Sequence, residues 1–160
     1  MENLKQSFDP LAGSDVEVLI LGTLPSDKSI QLGEYYGNPQ NRFWRMIATI
    51  CKCDMPTDYT AKQNILVANK IALWDVAHIV NRKGSLDSEI SNEIPNNIVG
   101  FIKQNPSLRT VVFNGKKSEE LYNRYFKKMP NINYIYLPST SPANAACGFE
   151  KLCEMWSVIM

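Results

Sequence analysis

The sequence has one histidine, His78, and four cysteines, Cys51, Cys53, Cys147 and Cys153, whose spacings fit neither a zinc ribbon nor an iron–sulfur ligand set. No metal and no other cofactor is therefore expected, and the thiols are expected to be reduced. Excess charge of one sign is lacking too: 17 Lys and Arg against 16 Asp and Glu leave a net charge of +1. No global polycation advertises nucleic acid, so any such contact must come from a local patch. No apolar run reaches the ~18–20 residues of a membrane span, and the amino terminus has no apolar signal core. A soluble, cytoplasmic monomer with no membrane partner is expected. Gly-x-Gly-x-x-Gly and phosphate-loop signatures are missing, which removes support for a dinucleotide or triphosphate ligand. At 160 residues the chain suits a single domain over 1–160.

Four apolar runs read as buried strands, over 16–21, 70–76, 108–113 and 133–137. Between them lie helical patterns. Asn38 and Pro39 predict a helix start, with Asn41 in the first turn and Phe43, Met46, Ile47 and Ile50 on one apolar face. Thr60 is the predicted cap of a short helix ending at Asn69, another helix is expected from Pro95 to before Asn105-Pro106, and a third carries Leu121, Tyr122, Tyr125 and Phe126. A last helix is expected over 149–159. The polar segment 81–88 reads as a functional loop. Strands separated by helices predict an α/β fold: a single-domain three-layer sandwich with a central, four-stranded, mostly parallel sheet and helices on both faces.

In such a sheet the carboxyl ends of the strands share one rim. That rim would carry Gly22-Thr23-Leu24-Pro25-Ser26, Asp75, Asn114-Gly115 and the loop 138–144. So few charges suit a neutral, planar ligand with amide-like edges, stacked on Tyr35 or Tyr36 and paired with asparagine. Plainer readings stand beside these. Asn41 can be a first-turn polar residue, Tyr35 and Tyr36 half-buried aromatics, and Asp75 a loop or cap residue. Asn114-Gly115 can be a simple turn, and His78 a structural residue. The basic run from Lys116 to Lys128, with Lys117, Arg124 and Lys127, can be the solvated face of a helix.

Three motifs carry a family resemblance: Gly22-Thr23-Leu24-Pro25-Ser26, Tyr36-Gly37-Asn38-Pro39-Gln40-Asn41-Arg42-Phe43-Trp44, and Leu137-Pro138-Ser139-Thr140-Ser141-Pro142-Ala143-Asn144. In this order they resemble the uracil-DNA glycosylase superfamily. Trp74-Asp75-Val76 and Ser85-Leu86-Asp87-Ser88 bring the chain nearest to its hypoxanthine-DNA (deoxyinosine) glycosylase branch. Two positions depart from the wider pattern. Leu24 stands where mismatch-specific relatives have a water-activating Asn or Asp, and Leu137 stands where many relatives have His.

The resemblance implies a uracil-DNA glycosylase-like fold and monofunctional hydrolysis of the N-glycosidic bond of a flipped, deaminated base in damaged DNA, as in base excision repair. No amine nucleophile suggests itself for lyase chemistry. The resemblance implies that Asn41 carries catalysis, with Asp75 as the reserve. An asparagine cannot take a proton near neutral pH, so Asn41 would orient water and stabilise the cationic sugar. Gly22, Thr23, Leu24, Pro25, Tyr36 and Asn114 would hold the base. Lys116 and the Arg82-Lys83 segment would meet phosphates, and Ser139, Thr140, Ser141, Pro142, Ala143 and Asn144 would press into the duplex. Two other functions remain open: a uracil or mismatch glycosylase, and a catalytically silent nucleotide- or nucleic-acid-binding module.

Overall fold

A computed structural model describes residues 4–82 and 90–160. Its elements are β1 (Leu4–Gln6), β2 (Val18–Gly22), α1 (Asp27–Leu32), α2 (Phe43–Ile50), α3 (Tyr59–Ala68), β3 (Ile71–Asp75), β4 (Ala77–Arg82), β5 (Ile90–Pro95), α4 (Ile98–Gln104), β6 (Thr110–Asn114), α5 (Lys116–Tyr125), β7 (Asn133–Leu137) and α6 (Phe149–Trp156). A 3-10 turn, Ser157–Ile159, closes the chain.

The four predicted strands form one parallel sheet in the order β3-β2-β6-β7. Every residue of β2 is buried, as a central parallel strand covered on both faces requires. Alternate side chains go to opposite layers. Val18, Ile20, Leu73 and Val112 pack with Phe43, Met46 and Ile47 of α2, Leu66 of α3, and Leu152 and Trp156 of α6. Leu19, Leu21, Ala72, Val111 and Phe113 pack with Ile98 and Phe101 of α4 and Leu121 and Tyr122 of α5. These two clusters are the outer layers of the expected sandwich.

Parallel register aligns the strand ends. Gly22 pairs with Asp75, Leu21 with Phe113, and Asn114 with Leu137. Asp75, Gly22, Asn114 and Leu137, each the last residue of its strand, thus form a row along one rim. The polypeptide leaves the sheet there four times, and the loops that follow are free to build a site.

Several expectations are corrected. The helix predicted from Pro39 begins at Phe43, with Arg42 as its N-cap. Asn38 instead closes a turn, its carbonyl accepting from Asn41 N–H and its side chain from Gln40 N–H. Asp58, not Thr60, caps α3, accepting from Ala61 N–H at 2.8 Å. Pro95 ends a strand, and α4 starts behind Asn97. The loop after Ser26 contains α1, and a second, antiparallel sheet in the order β1-β4-β5 takes up residues 4–6 of the polar terminus and two strands, Ala77–Arg82 and Ile90–Pro95, that overlap the segment read as the middle loop only at 81–82. Residues 83–89, which include Lys83 and the 85–88 motif, lie outside the described residues.

Candidate active site

The rim carries a cavity of about 840 Å³. Gly22, Thr23, Leu24, Pro25, Tyr36, Asn41, Asp75, Asn114, Lys116 and residues 139–144 all line it, so these expected site residues meet in one place, whereas Arg82 ends β4 and Lys83 lies outside the described residues. Ser26, Ser29, Tyr35, Asn38, Gly115 and Tyr136 complete the wall. His78 is in β4 and does not line this wall. The basic helix divides: Lys116 faces the cavity, whereas Arg124 pairs with Glu93, and Lys128 lies 5.7 Å from the Tyr134 ring centroid. Among the described residues no group of three His, Cys, Asp or Glu side chains is placed to hold a metal, and all four cysteines are free thiols.

The floor depends on Gly22. A Cβ there would stand 2.6 Å from Asp75 Oδ1 and 3.3 Å from Tyr36 Oη. Only glycine lets the buried carboxylate and the phenol close over the end of β2. Asp75 is held through its main chain by Asn96, whose Nδ2 donates to Asp75 O at 2.8 Å, to Ala77 O at 3.3 Å and to Ser7 Oγ at 3.0 Å. Leu24 is 8% exposed and packs with Ala77, so the wall carries an apolar group at that point.

Asn114 is the junction of the polar network. Its Nδ2 donates to Tyr36 Oη at 3.0 Å and to Thr140 Oγ1 at 3.1 Å, and its Oδ1 accepts from Thr140 N–H at 3.0 Å. Both amide protons are spent on these partners, and a second lone pair of Oδ1 remains by the chemistry of an amide. Thr140 is fully buried, unlike the exposed Pro142 and Ala143 of the same loop. Its place is that of a brace for Asn114.

Tyr36 sits at φ 53, a left-handed backbone uncommon for a bulky residue. Its ring stacks on Phe43 with centroids 4.0 Å apart and planes 18° apart. Such a conformation persists only where the surroundings over-determine it, and here the Phe43 stack and the Asn114 bond do so. Neighbouring Tyr35 is buried, with its hydroxyl donating to Asp9 O at 2.8 Å. Burial, and then the charge of Asp75, push that phenol well above its usual range.

Asn41 precedes the N-cap of α2, and its Oδ1 accepts from Phe43 N–H at 2.9 Å. Asn41 is therefore not the first-turn residue expected from the sequence: it stands just ahead of the helix, bonds its first residue, and lines the cavity. Next to it, Arg42 was not singled out by sequence reasoning. Its main-chain N–H donates to Thr140 O at 3.1 Å, its Nη2 to Asn144 O at 3.1 Å and its Nη1 to Cys147 O. Asn96 was also missed. Both residues bind main-chain carbonyls remote in sequence, which no local pattern announces. The helix α1 did leave a signal: Ser26 caps it, accepting from Ser29 N–H at 3.2 Å, and Gly33 ends it at φ 69.

The family model described as "Uracil DNA glycosylase superfamily" matches residues 10–159. The chain is 40% identical over 157 residues to a hypoxanthine DNA glycosylase of Methanosarcina acetivorans, covering 98% of each protein. It is 40% identical over 141 residues to a hypoxanthine DNA glycosylase of Methanosarcina barkeri, covering 88% of each. The fold matches the solution NMR structure of a candidate uracil DNA glycosylase from Methanosarcina acetivorans with a TM-score of 0.85 and 37% identity, over 98% of this chain and 97% of that one.

Proposed function

This chain belongs to the uracil DNA glycosylase superfamily, and from that premise we propose that it is a monofunctional DNA glycosylase that releases hypoxanthine from deoxyinosine in DNA, as a step of base excision repair. The observation that carries the reading is the convergence of Asn41, Asp75, Asn114 and Tyr36 on one cavity whose wall is apolar at Leu24. The two relatives named hypoxanthine DNA glycosylases support the same base.

The anomeric carbon is out of reach inside a duplex, so the nucleotide must first swing out. Lys116, at the start of α5, meets a phosphate, and the exposed Pro142 and Ala143 enter the space the nucleotide leaves. In the cavity the base stacks on Tyr36, which is backed by Phe43. Its N1–H donates to the remaining lone pair of Asn114 Oδ1, whose orientation Thr140 fixes. Leu24 and Pro25 form the apolar wall, and the main chain of Gly22 and Thr23 closes the floor.

Hydrolysis then joins a water oxygen to C1′ while the C1′–N9 bond breaks, and the base leaves with the bonding pair. Positive charge grows on the sugar and negative charge on the base. Asn41 acts on both water and sugar through its dipole: Phe43 N–H uses one lone pair of Oδ1, and a second can accept from water. Asp75 supplies the negative charge that offsets the sugar cation and takes up the water proton, which passes to solvent or the released base.

The test uses labelled duplexes, each with one deoxyinosine, deoxyuridine or mismatched thymidine, incubated with the protein without added metal and then cleaved with alkali. Cleavage at deoxyinosine is the expected outcome. Cleavage chiefly at deoxyuridine would assign the uracil reaction instead, and binding without cleavage of any duplex would identify a silent binding module.

A further inference from the structure

Arg42 spends three donors on a single remote segment. Its side-chain acceptors, Asn144 O and Cys147 O, lie 102 and 105 residues further along the chain, and its main-chain N–H reaches Thr140 O. The planar fork of a guanidinium can hold two carbonyls at once in fixed directions, which an ammonium cannot. The segment is braced from within and from behind. Trp156 Nε1 donates to Pro138 O at 2.9 Å, Asn144 Nδ2 to Ser139 O at 3.0 Å, Ser141 N–H to Ser139 Oγ at 3.1 Å and Ala143 N–H to Ser141 Oγ at 3.1 Å. What remains is a stiff loop with an exposed Pro142-Ala143 tip. Arg42 ties the loop's carbonyls to the Asn41 stretch.

We propose that Arg42 is a positioning residue that locks the loop 138–147 to Asn41. Seating the loop in the duplex then also places Asn41 against the extruded nucleotide. The proposal rests on the glycosylase reading above. Asn41 and Arg42 are adjacent in the chain, and both of their side chains have their partners fixed just before α2 begins. A displacement of the loop is therefore carried to the Asn41 amide without passing through the sheet. In this role Arg42 touches neither base nor sugar. Loss of its side chain removes two of the three ties, leaves the main-chain bond to Thr140 O, and so loosens the coupling between two parts that each stay intact.

Three measurements test the coupling: single-turnover base release from a deoxyinosine duplex, fluorescence of a 2-aminopurine placed beside the lesion as a reporter of unstacking, and affinity for undamaged duplex. For Arg42→Ala the release rate is expected to fall about tenfold or more and the fluorescence rise to shrink. Affinity for undamaged duplex should stay within about twofold, because the phosphate contacts are untouched. Arg42→Lys, which keeps the charge and one donor direction, should fall in between. A wild-type rate and fluorescence in either folded variant would overturn the proposal, as would a rate loss matched by an equal loss of affinity for undamaged DNA. Amide hydrogen exchange over 139–147, expected to be faster in Arg42→Lys, reads the clamp without any chemistry. Unchanged exchange sinks the clamp alone, whereas a wild type that releases no hypoxanthine sinks the glycosylase reading alone.

Discussion

Asn41 serves the helix start through Oδ1 and also lines the cavity, so replacing it has two separable consequences. Asn41→Ala removes a cap-like bond to Phe43 N–H, which costs about 1 kcal/mol. It also removes the dipole assigned to water and sugar, for which a loss of roughly a hundredfold or more in base release is expected. Thermal unfolding beside single-turnover cleavage separates the two, and a near-wild-type cleavage rate in the folded variant would remove Asn41 from catalysis. Gly22 yields a second prediction at this scale. The Ala methyl would press on Asp75 Oδ1 from 2.6 Å, and a short buried carboxylate has little room to retreat. Gly22→Ala should cost about 1–3 kcal/mol, seen as a lowered urea midpoint, and should impair base release beyond that loss because Asp75 and Tyr36 both shift. The residue types at these positions are readable in the sequence. Their engagements are not: both Asn114 amide protons are taken by Thr140 and Tyr36, and Thr140 N–H uses one lone pair of its Oδ1, partners remote in sequence that the fold alone brings together.

At the scale of elements, the strands were legible because their signal is long and apolar, and β7 agrees with its predicted span to the residue. The start of α2 was not. Asn38-Pro39 is a good helix opening by local rules, but Arg42 N–H is drawn to Thr140 O and the stretch before it folds into a separate turn. A tertiary bond moved the boundary by several residues. β1 and β5 escaped for another reason: both are edge strands, where polar residues and a proline are at home. The turn into α5 makes the sharpest element-level prediction. Gly115 has φ 94 and ψ 162, a region open almost only to glycine, and a Cβ would come within 3.0 Å of Ser139 Cβ. Gly115→Ala should cost about 1–3 kcal/mol in backbone strain. It should also displace Ser139 and Lys116 together, lowering both base release and duplex affinity, as titration with an undamaged duplex would register.

For the whole molecule, the main sheet and its two helical layers followed from continuous apolar runs separated by helical patterns, whereas the small β1-β4-β5 sheet has too weak a side-chain pattern to be read from sequence. The small sheet meets the site at Asn96, buried where β5 gives way to α4 and donating to the carbonyls on either side of Val76. Asn96→Ala strands those carbonyls, at about 1–3 kcal/mol, and should slow base release through Asp75 although Asn96 itself is not in the cavity wall. Stability against alkali belongs to the molecule as a whole, since each helical layer holds a raised phenol: Tyr35 in one, by burial and then the Asp75 charge, and Tyr122 in the other, by burial and then its bond to Tyr134. Both fold as neutral phenols. In the unfolded chain they ionise near their ordinary value of 10.0, so below that pH neither state releases a proton and their contribution is fully present. Above it the unfolded state loses protons that the folded state retains, and stability falls as pH rises toward the folded values. The urea midpoint should therefore be nearly level from about pH 8 to 9.5 as far as these groups decide it, and should decline steadily beyond about pH 10. Tyr35→Phe lowers the plateau by removing the bond to Asp9 O, but it must also flatten the alkaline decline. A decline as steep as that of the wild type would show that the Tyr35 phenol is not held neutral by the fold.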